Sequence, residues 1–178
     1  MKPLIPCFGR RNAAVTILVL SVLFVSGAAL RGQQPLQLGL PPDGRGNFPE
    51  LMIQAGGQGF AGLASIVNGV PVIFYDLTWI NRIGGFQSPA FRFLRAHEYA
   101  HHRLGHTLAH YQTPPAFLPV LGYNSELQAD CWAVQTLRSI GDHAAIQAGF
   151  DVYQHTIPPQ DANGRPGGIN RTINMRRC

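Results

Sequence analysis

The sequence predicts an α+β fold, a small antiparallel sheet or hairpin packed on a helical core. An Asn68-Gly69 pair stands between two β-favouring runs, 60–67 and 70–75, and such a pair is the strongest short-range hairpin signal. Further on, two segments repeat apolar residues at helical spacing, each opened by a capping residue and closed by glycine. The chain has 178 residues, 46% of them hydrophobic, which excludes disorder throughout and allows one domain plus a targeting segment.

Residues 1–29 read as a signal peptide or an N-terminal membrane anchor. Lys2, Arg10 and Arg11 form a positive start, followed by an uncharged apolar run over 13–30 that ends in Ser26-Gly27-Ala28-Ala29. The small residues suit a cleavage site, while the length of the run suits a single span. Either way the chain is expected to be exported, to a periplasmic or secreted location, or anchored there by 13–30. Beyond this leader, eleven Arg face nine acids, a net charge of +2. No Lys/Arg cluster tracks a helix face, so nucleic acid is excluded as a partner, and a membrane is met only through an uncleaved leader.

Residues 30–55 are rich in Gly, Pro and Gln without periodicity and read as a flexible lead-in. The domain proper is expected over 56–156. Pro71 places its strand near an edge or at a strand start. A short helix is expected over 76–83, ended by Gly84-Gly85. Ser88-Pro89 then caps a helix running to about Leu104, with Ala90, Phe93, Leu94, His97, His101 and Leu104 on one face. The proline-rich stretch 113–119 reads as a loop. Asn124 or Ser125 caps a second strong helix to about Ile140, and 143–154 forms a third. The tail, 157–178, is rich in Pro, Gly, Asn and Arg and is expected to be irregular. Without the leader two cysteines remain, Cys131 and Cys178, an even number that in an exported protein predicts a disulfide. The alternative is two unpaired thiols, with Cys131 buried as a small apolar residue.

The chemistry sits in His97-Glu98-Tyr99-Ala100-His101. On a helix, residues four apart lie one above the other, so both imidazoles reach one metal ion. Glu98 lies about 100° round, beside that ion, where a carboxylate can take the proton of a water. Chance would supply the pattern roughly 0.005 times in a chain of this composition. A catalytic zinc has three protein ligands and an open position. Glu126 and Asp130, one turn apart on the next helix, would be costly to bury on an apolar face without partners. Glu126 therefore completes a His₂Glu set with His97 and His101. Asp130 accepts the second ring N–H of a ligand histidine. The expected cofactor is one Zn²⁺ per chain.

The HEYAH and ELQAD pieces together resemble the gluzincin zinc metallopeptidases, in which H-E-x-x-H precedes a helix carrying E-x-x-x-D. ELQADCWA looks similar to the neutral zinc metallopeptidases and the prenyl-protease-like peptidases. The resemblance covers roughly 70–140 and implies a zincin-like fold, with Glu98 as general base and then acid, and a peptide or protein substrate, peptidoglycan cross-links included. It also implies that an extended peptide adds along the hairpin edge. One departure is plain: where prenyl-protease-like relatives carry His-Pro and then Arg, this chain has Arg165-Pro166 and then Arg171. The candidates for steadying an oxyanion are therefore Arg171, Arg165, His155 and Tyr153.

His106 does not fit a metzincin pattern, being one position out of register as a third ligand. With His102 and His110 it reads as part of a solvated helix back. The rival functional class is a non-catalytic secreted or membrane-anchored zinc-binding module of the same fold. The intact Glu98 and a ligand set that leaves one position open favour hydrolysis.

Overall fold

The computed structural model describes residues 48–57 and 60–178. The leader, and the lead-in up to residue 47, lie outside the described residues. From Asn68 (φ 52°) and Gly69 (φ 78°), two left-handed residues in succession, the chain turns back on itself as a two-residue hairpin. The strands are β2, Gly62–Val67, and β3, Val70–Asp76, paired antiparallel with Val67 opposite Val70. A further strand, β1, Glu50–Ile53, pairs parallel on the other side of β3. The sheet is thus mixed, in the order β1-β3-β2. This corrects two expectations. The sheet is not purely antiparallel, and the lead-in contains a strand inside the domain.

Strand β1 forms because a carboxylate anchors it. Glu50, 2% exposed, is paired with Arg95 and accepts from the Tyr99 hydroxyl at 2.9 Å. A four-residue strand has little periodicity to read, and an acid inside it reads as exposed. Pro71 is the second residue of β3, the central strand, where its missing N–H is tolerated at a strand start.

Asp76 caps α1, Leu77–Arg82, through the Thr78 N–H at 3.0 Å. Ser88 caps α2, Pro89–Arg103, through the Phe91 N–H at 3.1 Å, a bond of a kind worth about 1 kcal/mol. Helix α2 is buried along two faces. Tyr99 and Phe91 pack with Ile73, Tyr75 and Ile80 under the sheet. Phe93 and Ala96 pack into a second cluster with Ala133, Val134, Leu137, Ile146, Tyr153 and Met175. Gly105 takes φ 75° and ends the helix.

The stretch read as a loop is mostly helical. After α3, His106–Gln112, and a 3-10 turn at Pro115–Phe117, α4 runs over Leu118–Ser139. Pro119 lies in its first turn, where a missing N–H costs nothing; the proline starts the helix instead of breaking it. Asn124 and Ser125 are interior to α4. Helix α5, His143–His155, follows as expected. The tail is not irregular throughout, because α6, Gly168–Arg177, closes the chain and buries Arg171, Thr172 and Met175. Gly168 reads as a breaker in sequence. A side chain there would begin 2.1 Å from the Tyr153 carbonyl oxygen, so the residue is set by the close approach of α6 to α5. The Cys131–Cys178 disulfide joins α4 to the residue after α6. The described residues therefore form an α+β unit of six helices and three strands that extends at both ends beyond the expected 56–156. Among the described residues, no helix is long and apolar enough to cross a membrane.

Candidate metal centre

Helix α2 presents His97 and His101 one turn apart, and α4 crosses beside it to present Glu126 and Asp130 at the same spacing. The His97 and His101 Nε2 atoms are 3.1 Å apart. Glu126 brings Oε2 to 3.4 Å from His97 Nε2 and Oε1 to 3.9 Å from His101 Nε2. All three ligating groups fall within 4.8 Å of one another. Tetrahedral ligands about 2.0–2.2 Å from a zinc ion stand about 3.3–3.6 Å apart, and the three observed separations bracket that range. Two imidazoles and a carboxylate are also a donor set suited to zinc, so the residues fit the ion.

Behind the ligands, Asp130 Oδ1 lies 2.9 Å from His97 Nδ1. Asp130 is fully buried, and Arg171 and Tyr153 share it. Tyr153 donates its hydroxyl to Oδ1 at 2.6 Å, and Arg171 donates to both carboxylate oxygens. Arg171 NH1 also lies 3.1 Å from Glu126 Oε2. The two oxyanion candidates that reach the cluster are thus engaged with its carboxylates. Arg165 and His155 are exposed, and neither joins this network.

His101 has a partner of another kind. Its Nδ1 lies 3.2 Å from Nδ1 of His106, whose Nε2 lies 2.9 Å from Gln128 Oε1. His106 is 7% exposed and does not belong to a solvated helix back. The break at Gly105 turns it inward, whereas His102 bonds the Val72 carbonyl oxygen and the Thr107 hydroxyl.

Glu98 lies against strand β2, accepting the Ala64 N–H at 2.9 Å. A Cβ on Gly62 would sit 2.7 Å from the Glu98 side chain, so the glycine makes the cradle in which this carboxylate rests. Gly62 carries no signal in the sequence, and His106 reads there as an out-of-register ligand on a solvated helix back. Only the spacing of His106 across a helix-ending glycine could have suggested that it turns back on His101.

The electrostatics follow from crowding three carboxylates, two histidines and one arginine in a dry site. Burial alone would depress the His97 imidazole, but hydrogen bonds to Asp130 and Glu126 hold it up, to about 10. Burial, reinforced by the charge of His97, lowers His101 to about 3 and so keeps it neutral. Burial opposes the charge on Glu126, yet the bond to His97 and the nearby Arg171 keep it well below the usual carboxylate range. Glu98 moves the other way, since burial raises it to about 7. One carboxyl able to hold or release a proton near neutrality thus stands beside an anionic carboxylate, Glu126, a neutral imidazole, His101, and a protonated one, His97. Comparison with family models, curated proteins and solved structures gives no match.

Proposed function

We propose that this chain is an exported zinc-dependent metallopeptidase. It hydrolyses amide bonds in peptides or proteins, peptidoglycan cross-links included, on a zincin-like pairing of α2 and α4. The observation that carries the reading is the convergence of His97, His101 and Glu126 within 4.8 Å, with Glu98 beside them. When bound, zinc supplies a water acidified to a pKa of about 7 and a polarised substrate carbonyl. His97, His101 and Glu126 hold the ion, and Asp130 keeps the His97 ring in position. Glu98 takes the proton of the attacking water and passes it to the leaving amine. Strand β2 ends the sheet order beside α2, and an extended substrate strand adding there would take over the Ala64 N–H that Glu98 now holds. The Cys131–Cys178 disulfide supports an oxidising, exported setting.

A second reading, a non-catalytic zinc-binding module, is favoured by the engagement of Arg171 and Tyr153 with Asp130, since neither is then free to meet an oxyanion. Two measurements separate the readings. Elemental mass spectrometry of the dialysed protein should find about one zinc per chain, and none, with no uptake of added zinc, overturns both. Glu98→Gln should keep the zinc and abolish hydrolysis of a mixed peptide library. Undiminished turnover in that variant overturns the mechanism, and an unsubstituted protein that binds zinc without hydrolysing supports the module.

A further inference from the structure

We infer that His106, held by Gln128, decides which ring nitrogen of His101 carries its proton and so aims the His101 lone pair at the His97–Glu126 cluster. The inference rests on the proposed metal site for its purpose, and on hydrogen-bond geometry for its substance. A carbonyl oxygen only accepts. Gln128 Oε1, 2.9 Å from His106 Nε2, therefore calls for an N–H at that nitrogen. A neutral imidazole has one such hydrogen, so His106 Nδ1 is left as an acceptor. Facing it at 3.2 Å is His101 Nδ1, which must then be the donor. The remaining nitrogen, His101 Nε2, keeps an open lone pair, and this is the atom 3.1 Å from His97 Nε2. With the opposite tautomer its N–H would face the cluster and His101 could not ligate.

The two candidate ligand histidines are thus oriented by different means. His97 leans on the carboxylate of Asp130 at 2.9 Å, His101 on a neutral two-residue relay. Helix α4 serves both, since Gln128 lies between Glu126 and Asp130 on it. His106 is available because Gly105, at φ 75°, lets α3 start in a new direction and bring a nearly buried ring back over His101, the two ring centroids being 5.1 Å apart. His106 is accordingly a positioning residue, without contact with the proposed ion.

Long-range ¹⁵N–¹H spectra of the full chain, labelled at histidine and freed of metal, read the tautomer directly. The expected result is a proton on His101 Nδ1, with a proton on His106 Nε2. A His101 ring protonated at Nε2 alone would overturn the inference, whether or not any variant folds. Zinc titration supplies the second readout. His106→Leu and Gln128→Leu should weaken binding about 10–100-fold, as loss of an orienting partner does. His106→Asn, whose amide oxygen can accept at the Nδ1 position, should recover most of the loss. Equal affinity in folded His106→Leu and unsubstituted protein would also overturn it. Failure of the unsubstituted protein to take up zinc would instead overturn the proposed function, and the spectrum would still decide the tautomer.

Discussion

Arg171 grips Asp130 with two parallel hydrogen bonds, Nε to Oδ2 at 2.8 Å and NH2 to Oδ1 at 2.7 Å. The pair ties the C-terminal helix to the back of the candidate metal centre. Burial opposes the charge on Asp130, but Arg171 and His97 overcome it and hold the carboxyl below its usual range. Removing the guanidinium would leave a fully buried carboxylate without its strongest partner. Arg171→Met should therefore cost about 3–5 kcal/mol. Arg171→Lys, which keeps the charge and loses the planar fork, should fall between the two. Urea unfolding checks both, and a Met variant as stable as the parent would show that Asp130 does not depend on Arg171.

The contact between Gly62 and Glu98 gives a sharper test, because it separates folding from chemistry. The added methyl of Gly62→Ala would meet Glu98 Cγ and Oε1 at 2.7 Å, and the end of that side chain can swing away. The strand itself has ordinary backbone angles to offer an alanine, so the fold should survive with at most a small loss of stability. Glu98 would leave its cradle, and on the proposed mechanism, in which it is the general base, its displacement forfeits a contribution of about 10²–10⁴ in rate. Zinc content should stay unchanged. Peptide turnover equal to that of the parent would show that the position of Glu98 on Ala64 is incidental.

Breaking the Cys131–Cys178 disulfide reopens a connection spanning 47 residues of sequence. The tie limits the unfolded chain far more than it shapes the folded one, and loops of this size are worth about 2–4 kcal/mol. The double variant Cys131→Ser with Cys178→Ser should lose that amount in thermal or urea unfolding. The Arg171–Asp130 pair still fastens α6 from within, so zinc binding should persist at temperatures where the variant is folded. A loss of zinc at those temperatures would show that the disulfide, and not the ion pair, positions α6.

The parts of this structure legible in sequence are those written in local chemistry. Asn68-Gly69 dictates its own turn, Ser88-Pro89 its own helix start, and the i, i+4 spacing of His97 with His101 and of Glu126 with Asp130 puts each pair on one helix face. What could not be read depends on a distant partner. Glu50 marks a strand only because Arg95 and Tyr99 await it. Gly168 begins a helix only because the Tyr153 carbonyl leaves no room for a side chain. Pro119 was ambiguous in another way, since a proline can either end a helix or, as here, stand in the first turn of one. The inward turn of His106 likewise requires both the break at Gly105 and Gln128 on another helix.

The ion pair between Arg92 and Asp142 fastens α2 to the start of α5, and its pH dependence has a definite sign. Asp142 accepts from Arg92 at 2.6 and 3.0 Å and from the Ala145 N–H at 3.1 Å. The bond to Arg92 outweighs the opposing effect of burial and holds the carboxyl below its usual value. A carboxyl depressed on folding stabilises fully above its unfolded pKa of about 3.9 and loses that contribution as pH falls through the folded value. Arg92 is partly exposed, with 36% of its side chain accessible, so solvent screens the pair and its worth is about 1 kcal/mol or less. Asp142→Asn keeps an oxygen to cap α5 and removes the charge together with the acceptor for Arg92 Nε. The stability gap between parent and variant should be constant from neutral pH to about pH 5, then close toward zero as the parent is protonated below about pH 4. Urea midpoints of both proteins across that range make the comparison, and a gap that stays constant down to pH 2 would assign the effect to hydrogen bonding alone.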